Sequence, residues 1–190
     1  MPTLDDLPWP VATSRLTLRR ATAADARAVW AYRRLPAVAE WMTSLAGDET
    51  DFAVSFSTPD RLRPTLVVEH RGRVVGDLKL DIEDAWGQTE VVEQARGTQA
   101  ELGWAFDPAV QGSGLATEAA ARLLDLCFGP LGLRRVTAVC FADNVPSWRL
   151  MERLGMRREA ALVADSLHRS GRWLDSYVYA ILAEERPSGL

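Results

Sequence analysis

The chain has 190 residues, 47% of them hydrophobic and 25% charged, a composition that supports one globular domain and excludes a disordered chain. A net charge of -4 provides no overall pull toward nucleic acid or anionic membrane, so neither is expected as a partner. No apolar run reaches membrane-span length, and "MPTLDDLPWP" lacks a charged-then-apolar signal pattern; with Cys127 and Cys140 in apolar settings, a cytoplasmic protein with buried free thiols is expected.

In chain order, "RLTLRRATAADARAVWAYRRL" predicts a short alternating strand, then Thr22 as N-cap of a helix carrying Ala26, Val29, Trp30 and Arg33. "PAVAEWMTSLAGDETDFAVSFSTPDRLRP" is poorly periodic and reads as short helices and loops. "TLVVEHRGRVVGDLKLDI" predicts a hairpin turning at Arg71-Gly72, its second strand alternating Leu78, Leu80 and Ile82 with Asp77, Lys79 and Asp81. The polar stretch over 83–98 reads as a mobile excursion. "AELGWAF" predicts a strand with Leu102, Trp104 and Phe106 on one face and Glu101, Gly103 and Ala105 on the other. Leu115 to Phe128 carries the clearest helical pattern, with Leu115, Ala119, Leu123 and Cys127 in one row. "RRVTAVCFA" predicts a strand and "SWRLMERL" a helix stopped at Gly155. Two final strands are expected around Ser170-Gly171, so the class is mixed α/β.

Between the "AELGWAF" strand and the long helix lies "QGSGLAT". A glycine-containing loop entering a helix N-terminus offers unpaired N–H groups and partial positive charge, which attract phosphate. Gly112 and Gly114 allow close backbone approach, and Thr117 offers a hydroxyl. No lysine follows as a nucleotide-triphosphate loop requires, and the G-S-G-L-A-T run in mid-chain is a weak dinucleotide fingerprint. A softened turn without ligand is the plain alternative.

The loop's surroundings narrow the choice. "AELGWAFDPAVQGSGLATEAAARLLDLCF" followed by "VTAVCFADNVPSWRLMERLGM" resembles the GCN5-related N-acetyltransferases (GNAT), and more specifically the branch containing the ribosomal-protein N-terminal alanine acetyltransferases. The family loop reads Q/R-x-x-G-x-G/A, and Gln111, Gly114 and Ala116 occupy its fixed positions. The order of elements is similar from Ser14 to Glu185. The resemblance implies an α/β (α+β) fold of the GNAT type, a mixed central sheet of about seven strands splayed at the acetyl-CoA site and flanked by about four helices. It implies one domain over 14–186, preceded by an extension over 1–13 and followed by a tail over 187–190.

The same resemblance implies a site. Trp104, Ala105 and Phe106 would line the pantetheine arm, which can add to the sheet edge as a peptide does. Amides of Gln111, Gly112, Ser113, Gly114, Leu115 and Ala116 would meet the pyrophosphate, with Thr117 beside them. Asn144 would contact the arm, cap the next helix, or do both. Glu101 is the first candidate for the base that deprotonates an amine, against a structural carboxylate, with Asp81, Glu83 and His168 in reserve. Where many family members carry a tyrosine that protonates the leaving thiolate, this chain has Met151, which cannot donate; Ser147 is the nearest candidate. Arg149 is a candidate for the 3′-phosphate, and Trp41, Met42, Trp86, His168, Trp173 and Tyr177 for the acceptor region.

The activity implied is transfer of the acetyl group of acetyl-CoA to a primary amine, on a small molecule or a peptide N-terminus, by direct attack in a ternary complex. Coenzyme A would be the product, no metal is called for, and a homodimer is left open. Two rivals remain: a GNAT-fold sensor or scaffold that binds acetyl-CoA without turnover, and a nucleotide-binding α/β module using the same loop.

Overall fold

A computed structural model describes residues 3–186; the tail at 187–190 lies outside them. The strands form an eight-stranded mixed sheet in the order β1-β2-β3-β4-β5-β6-β8-β7. Contacts group the chain into two units, Pro8–Leu80 with Gly103–Ala120, and Met1–Leu7 with Asp81–Leu102 and Ala121–Leu190.

The first of these units begins with β1 (Val11–Ala12) and β2 (Leu16–Arg20), antiparallel partners with Val11 opposite Leu18. The expected Thr22 cap is elaborated: a 3-10 turn over Ala23–Asp25 precedes α1 (Ala26–Arg33), and the Thr22 N–H donates to Asp25 Oδ2 at 2.8 Å. The aperiodic stretch after it forms α2 (Pro36–Ala39), α3 (Glu49–Phe56) and α4 (Pro59–Leu62). The β3 strand (Thr65–His70) and β4 (Arg73–Glu83) form the predicted hairpin. Arg71 and Gly72 both have positive φ, 52° and 73°, as a two-residue turn matched to strand twist requires. Leu66, Val67 and Val68 are all buried, as in a strand covered on both faces. Val29, Tyr32, Phe52, Phe56, Val67 and Ala105 form this unit's core.

The alternation read for β4 holds in backbone but fails in burial at one residue. Asp77 stands in the polar phase with Lys79, yet its residue exposure is 1%. The cause is α1, whose Tyr32 hydroxyl donates to Asp77 Oδ1 at 2.6 Å and whose Arg33 Nε donates to the same oxygen at 3.0 Å. Arg33 Nη2 also pairs with Asp77 Oδ2.

In the other unit, the stretch between β4 and β5 is a loop held together at its base. Gly97 N–H donates to Asp84 Oδ1 at 2.7 Å, Ala85 N–H donates to the Ala95 carbonyl at 2.8 Å, and Trp86 is 88% exposed. Of β5 (Gln99–Phe106) only Gln99–Leu102 falls in this unit, and of α5 (Leu115–Phe128) only the part from Ala121 on; α5 has the bounds expected from its apolar rows, and Leu115, Ala119, Leu123 and Cys127 are all buried. Then come β6 (Arg135–Phe141), α6 (Val145–Arg153), β7 (Arg157–Leu167) and β8 (Trp173–Leu182). Gly155, with φ 81°, ends α6 as predicted, and Gly171, with φ 80°, turns the last hairpin. Leu150, Met151 and Leu154 are buried on α6, a strongly one-sided helix. Cys127 and Cys140 are free and buried. Among the described residues no helix is long and apolar enough to cross a membrane.

The sheet has eight strands where about seven were expected, the additional short one being β1. Four helices, α1, α3, α5 and α6, have eight or more residues.

Candidate functional site

The glycine loop is built as a local device. Asp107 accepts the Ala109 N–H at 2.9 Å, which closes a 3-10 turn over Pro108–Val110, while Asp107's own N–H donates to the Val75 carbonyl at 2.9 Å. After it the chain passes through Gly112 at φ 75° and Gly114 at φ 77°, left-handed conformations that cost other residues roughly 1–2 kcal/mol. The Ser113 hydroxyl donates to the Val110 carbonyl. Residues 111–114 are exposed, whereas Leu115 turns inward to begin α5. A Cβ placed at Gly112 would meet nothing within 4 Å. Accessible amides, bare Cα atoms and a fourteen-residue helix starting at Leu115 together make a cradle that fits a diphosphate.

Of the residues expected to line the arm, Ala105 is buried and Trp104 and Phe106 are half-buried, so the alternation that buries Ala100 and Leu102 slips by one residue beyond Gly103. Phe106 explains part of this. Its ring covers Gly76 so closely that a Cβ there would lie 2.4 Å from Cδ1 and 2.7 Å from Cε1. The bare Gly76 is what lets the ring settle on β4.

Glu101 is half-buried on β5 at a particular place in the sheet. The described parallel register between β5 and β6 pairs Gln99 with Arg135, Ala100 with Val136 and Glu101 with Thr137, and Glu101 is its last member. Gln99–Leu102 belongs to one unit and Gly103–Phe106 to the other.

On α6, Asn144 occupies the N-cap position, but its side chain makes no capping hydrogen bond. The Ser147 hydroxyl hydrogen-bonds with the Cys140 thiol; burial pushes that thiol up to about 11, and the bond from Ser147 works in the opposite direction. Met151 is 1% exposed, a core residue at the place where a tyrosine acid would stand. The Arg149 guanidinium lies over the Trp148 ring at 5.5 Å. His168 sits edge-on to Phe141 with centroids 5.5 Å apart, and its Nδ1 is 2.9 Å from Ser170 Oγ. Tyr177 packs against Trp148 at 6.5 Å, with the Arg158 guanidinium 4.6 Å from its ring. Met42 packs on the core of the other unit, and Trp173 is exposed.

Two groups went unread in the sequence. One is the buried Tyr32–Arg33–Asp77 cluster, whose aspartate stands in the polar phase of β4 and gives no local signal of burial. The other joins residues 13–15 to the first turn of α5 through Glu118, an acidic residue just inside a helix N-terminus.

Comparison with known proteins bears on the family of the chain. The Acetyltransferase (GNAT) domain profile matches residues 15–157. An uncharacterized N-acetyltransferase of Bacillus licheniformis, p20, is 28% identical over 91% of this chain and 96% of its own length. YnaD of Bacillus subtilis, also an uncharacterized N-acetyltransferase, is 42% identical over 85 residues, which span 45% of this chain and 49% of YnaD. Mycobacterium smegmatis RimJ in complex with CoA-disulfide superposes with a TM-score of 0.73 at 26% identity, covering 92% of this chain and 85% of RimJ. With a profile match that takes in β2 through α6 and the glycine loop between them, the chain belongs to the GNAT family and is an acetyltransferase.

Proposed function

We propose that this enzyme transfers the acetyl group of acetyl-CoA to a primary amine, a small-molecule amine or a peptide N-terminus, by direct attack in a ternary complex. The observation that carries this reading is the exposed Gly112–Gly114 loop, whose positive-φ glycines feed bare amides into the start of α5. Amides from Gln111 to Ala116, with Thr117, hold the pyrophosphate, and Trp104, Ala105 and Phe106 line the arm. Asn144 is the side chain on α6 assigned to the arm, in keeping with its lack of a capping bond. RimJ, a relative by fold and sequence, carries a coenzyme A derivative in its structure.

Bound acetyl-CoA supplies an acyl thioester. Glu101 accepts the proton of the attacking amine as the new C–N bond forms and the C–S bond breaks. An α-amine, with pKa near 8, needs less help than a lysine amine near 10.4, so a peptide N-terminus is the less demanding acceptor. A main-chain N–H at Ala105 or Phe106 faces the negative charge that develops on oxygen, where one donor is worth about 3–4 kcal/mol. The thiol, with pKa near 8.5, departs as thiolate with a hydrogen bond from Ser147, which exchanges its Cys140 partner to give it. No side-chain acid is assigned at Met151. A reducing, cytoplasmic setting suits the two free cysteines.

The test is release of free thiol from acetyl-CoA across a panel of amines and peptides with free N-termini, alongside thermal shifts with acetyl-CoA, ATP and NAD. Acetyl-CoA alone should raise Tm, and at least one amine should drive thiol release. Stabilisation by ATP or NAD instead would refute the reading. Stabilisation by acetyl-CoA without turnover on any amine would favour a binding role.

A further inference from the structure

The glycine loop is tied at its base to a stretch of chain about a hundred residues earlier. Glu118, in the first turn of α5, is the hub. Its Oε1 accepts the Thr13 hydroxyl at 2.5 Å, the Ser14 hydroxyl at 2.9 Å and the Arg15 main-chain N–H at 2.9 Å. Its Oε2 receives Arg15 Nε at 2.6 Å, and Arg15 Nη1 reaches on to the Ser113 carbonyl at 2.8 Å. Burial pushes the Glu118 carboxyl up, but bonds from Thr13, Arg15 and Ser14 outweigh it and bring it to about 2.

Two physical consequences follow at the loop. A trans peptide is planar, so its C=O and N–H point in opposite directions. Holding the Ser113 carbonyl on Arg15 therefore turns the Gly114 N–H away from the arginine and fixes it there. Without that tie, the Ser113–Gly114 peptide would reorient at less cost, since Gly114 on its far side has no side chain to resist it. The second consequence is electrostatic. A bare carboxylate in the first turn would compete with a phosphate for the same helix N-terminus and repel it. Arg15 cancels that charge while leaving the exposed side of the loop clear; a Cβ on Gly114 would approach Arg15 Nη2 only to 3.5 Å.

We infer that Arg15 and Glu118 are positioning residues for the coenzyme A diphosphate: together they preset the Ser113–Gly114 peptide and neutralise the entrance of α5. The inference rests on the acetyl-CoA reading above. A plain structural staple between residues 13–15 and α5 would stabilise the fold without favouring any part of the ligand. The clamp, in contrast, acts on the diphosphate and not on the pantetheine arm.

The experiment compares wild type with Arg15→Met, Arg15→Lys, Glu118→Gln and the Arg15→Met/Glu118→Gln pair. It measures Kd for coenzyme A, steady-state constants for acetyl-CoA, and steady-state constants for S-acetylpantetheine, which lacks the diphosphate. Arg15→Met should raise Kd and KM for the full cofactor about ten- to a hundredfold while kcat stays within about twofold, the scale of one charge-assisted bond. Its kcat/KM for S-acetylpantetheine should stay at the wild-type value. Arg15→Lys should recover part of the loss, and the double variant should bind coenzyme A more tightly than Arg15→Met alone because the stranded carboxylate is gone. Equal losses with both acyl donors, or an unchanged Kd, would overturn the clamp while leaving the acetyl-CoA reading in place. Failure of the wild type to bind coenzyme A would overturn both.

Discussion

Asp77→Asn offers the sharpest test of what holds α1 to β4. The carboxylate is buried, takes the Tyr32 hydroxyl at 2.6 Å and Arg33 Nε at 3.0 Å, and closes an ion pair with Arg33 Nη2. Arg33 itself is 14% exposed in its side chain, so it cannot turn to water when its partner loses charge. Arg61 adds to the difficulty, because burial and then the nearby Arg33 charge both lower its pKa. Removing the Asp77 charge would leave the buried Arg33 without its paired anion, with the Arg61 charge near it. Breaking one side of a buried pair costs about 3–5 kcal/mol. For a chain of this size that corresponds to a fall in Tm of roughly 6–20 °C. Urea melts at fixed pH measure the loss directly. Arg33→Met/Asp77→Leu should recover most of it, since two apolar groups leave no stranded charge. Tyr32→Phe should cost less, about 1.5–3 kcal/mol, as the ion pair survives. A loss under about 1 kcal/mol for Asp77→Asn, or a double variant less stable than the single one, would refute the account.

Other outcomes follow from particular contacts. Glu118 has its folded pKa lowered from 4.5 to about 2, so its contribution to stability is present above pH 4.5 and disappears as pH falls through 2; the stability gap between wild type and Glu118→Gln should close over that window in acid titrations. Gly76→Ala would place a Cβ 2.9 Å from the Ala105 carbonyl and against the Phe106 ring, and should cost about 1–3 kcal/mol in urea melts while raising KM for acetyl-CoA. Glu101→Gln should cut kcat at neutral pH about a hundredfold or more with coenzyme A affinity nearly unchanged, and intact activity would remove Glu101 as the base. Cys127 and Cys140, both pushed up by burial, should resist a thiol reagent in the native protein and react after unfolding in guanidinium.

The parts of the fold legible in the sequence are those written in local chemistry. The α5 helix could be bounded because small and apolar residues recur at helical spacing between Gly114 and Gly129. The β3–β4 turn could be placed because glycine accepts the positive φ that a tight hairpin needs. Asp77 could not be read, since its place in the polar phase of β4 predicts solvent and only the packing of α1 makes that side of the strand interior. Residues 13–15 could not be linked to Glu118 either, because nothing local to Thr13, Ser14 or Arg15 points to a carboxylate 103 residues away. The glycine loop lies between these cases. Its backbone conformation was legible, whereas the arginine that orients its central peptide was not.

The position of Glu101 gives the proposed chemistry its most specific support. A parallel ladder takes up main-chain groups on the facing edges of both strands. The described parallel register of β5 and β6 runs from Gln99 and Arg135 to Glu101 and Thr137. In the proposed reading, the main chain of Trp104, Ala105 and Phe106 is what a peptide-like pantetheine arm would take, so the thioester end of the arm belongs toward the Glu101 end of β5. A base must lie within one hydrogen bond, or one bridging water, of the attacking amine. Glu101 is the last residue of the described β5–β6 register, whereas Glu83 closes β4 and His168 stands by the β7–β8 turn on a bond to Ser170. The same strand then runs through Phe106 into the phosphate loop, so one continuous segment from Glu101 to Thr117 would carry base, arm and diphosphate contacts in the order the ligand presents them.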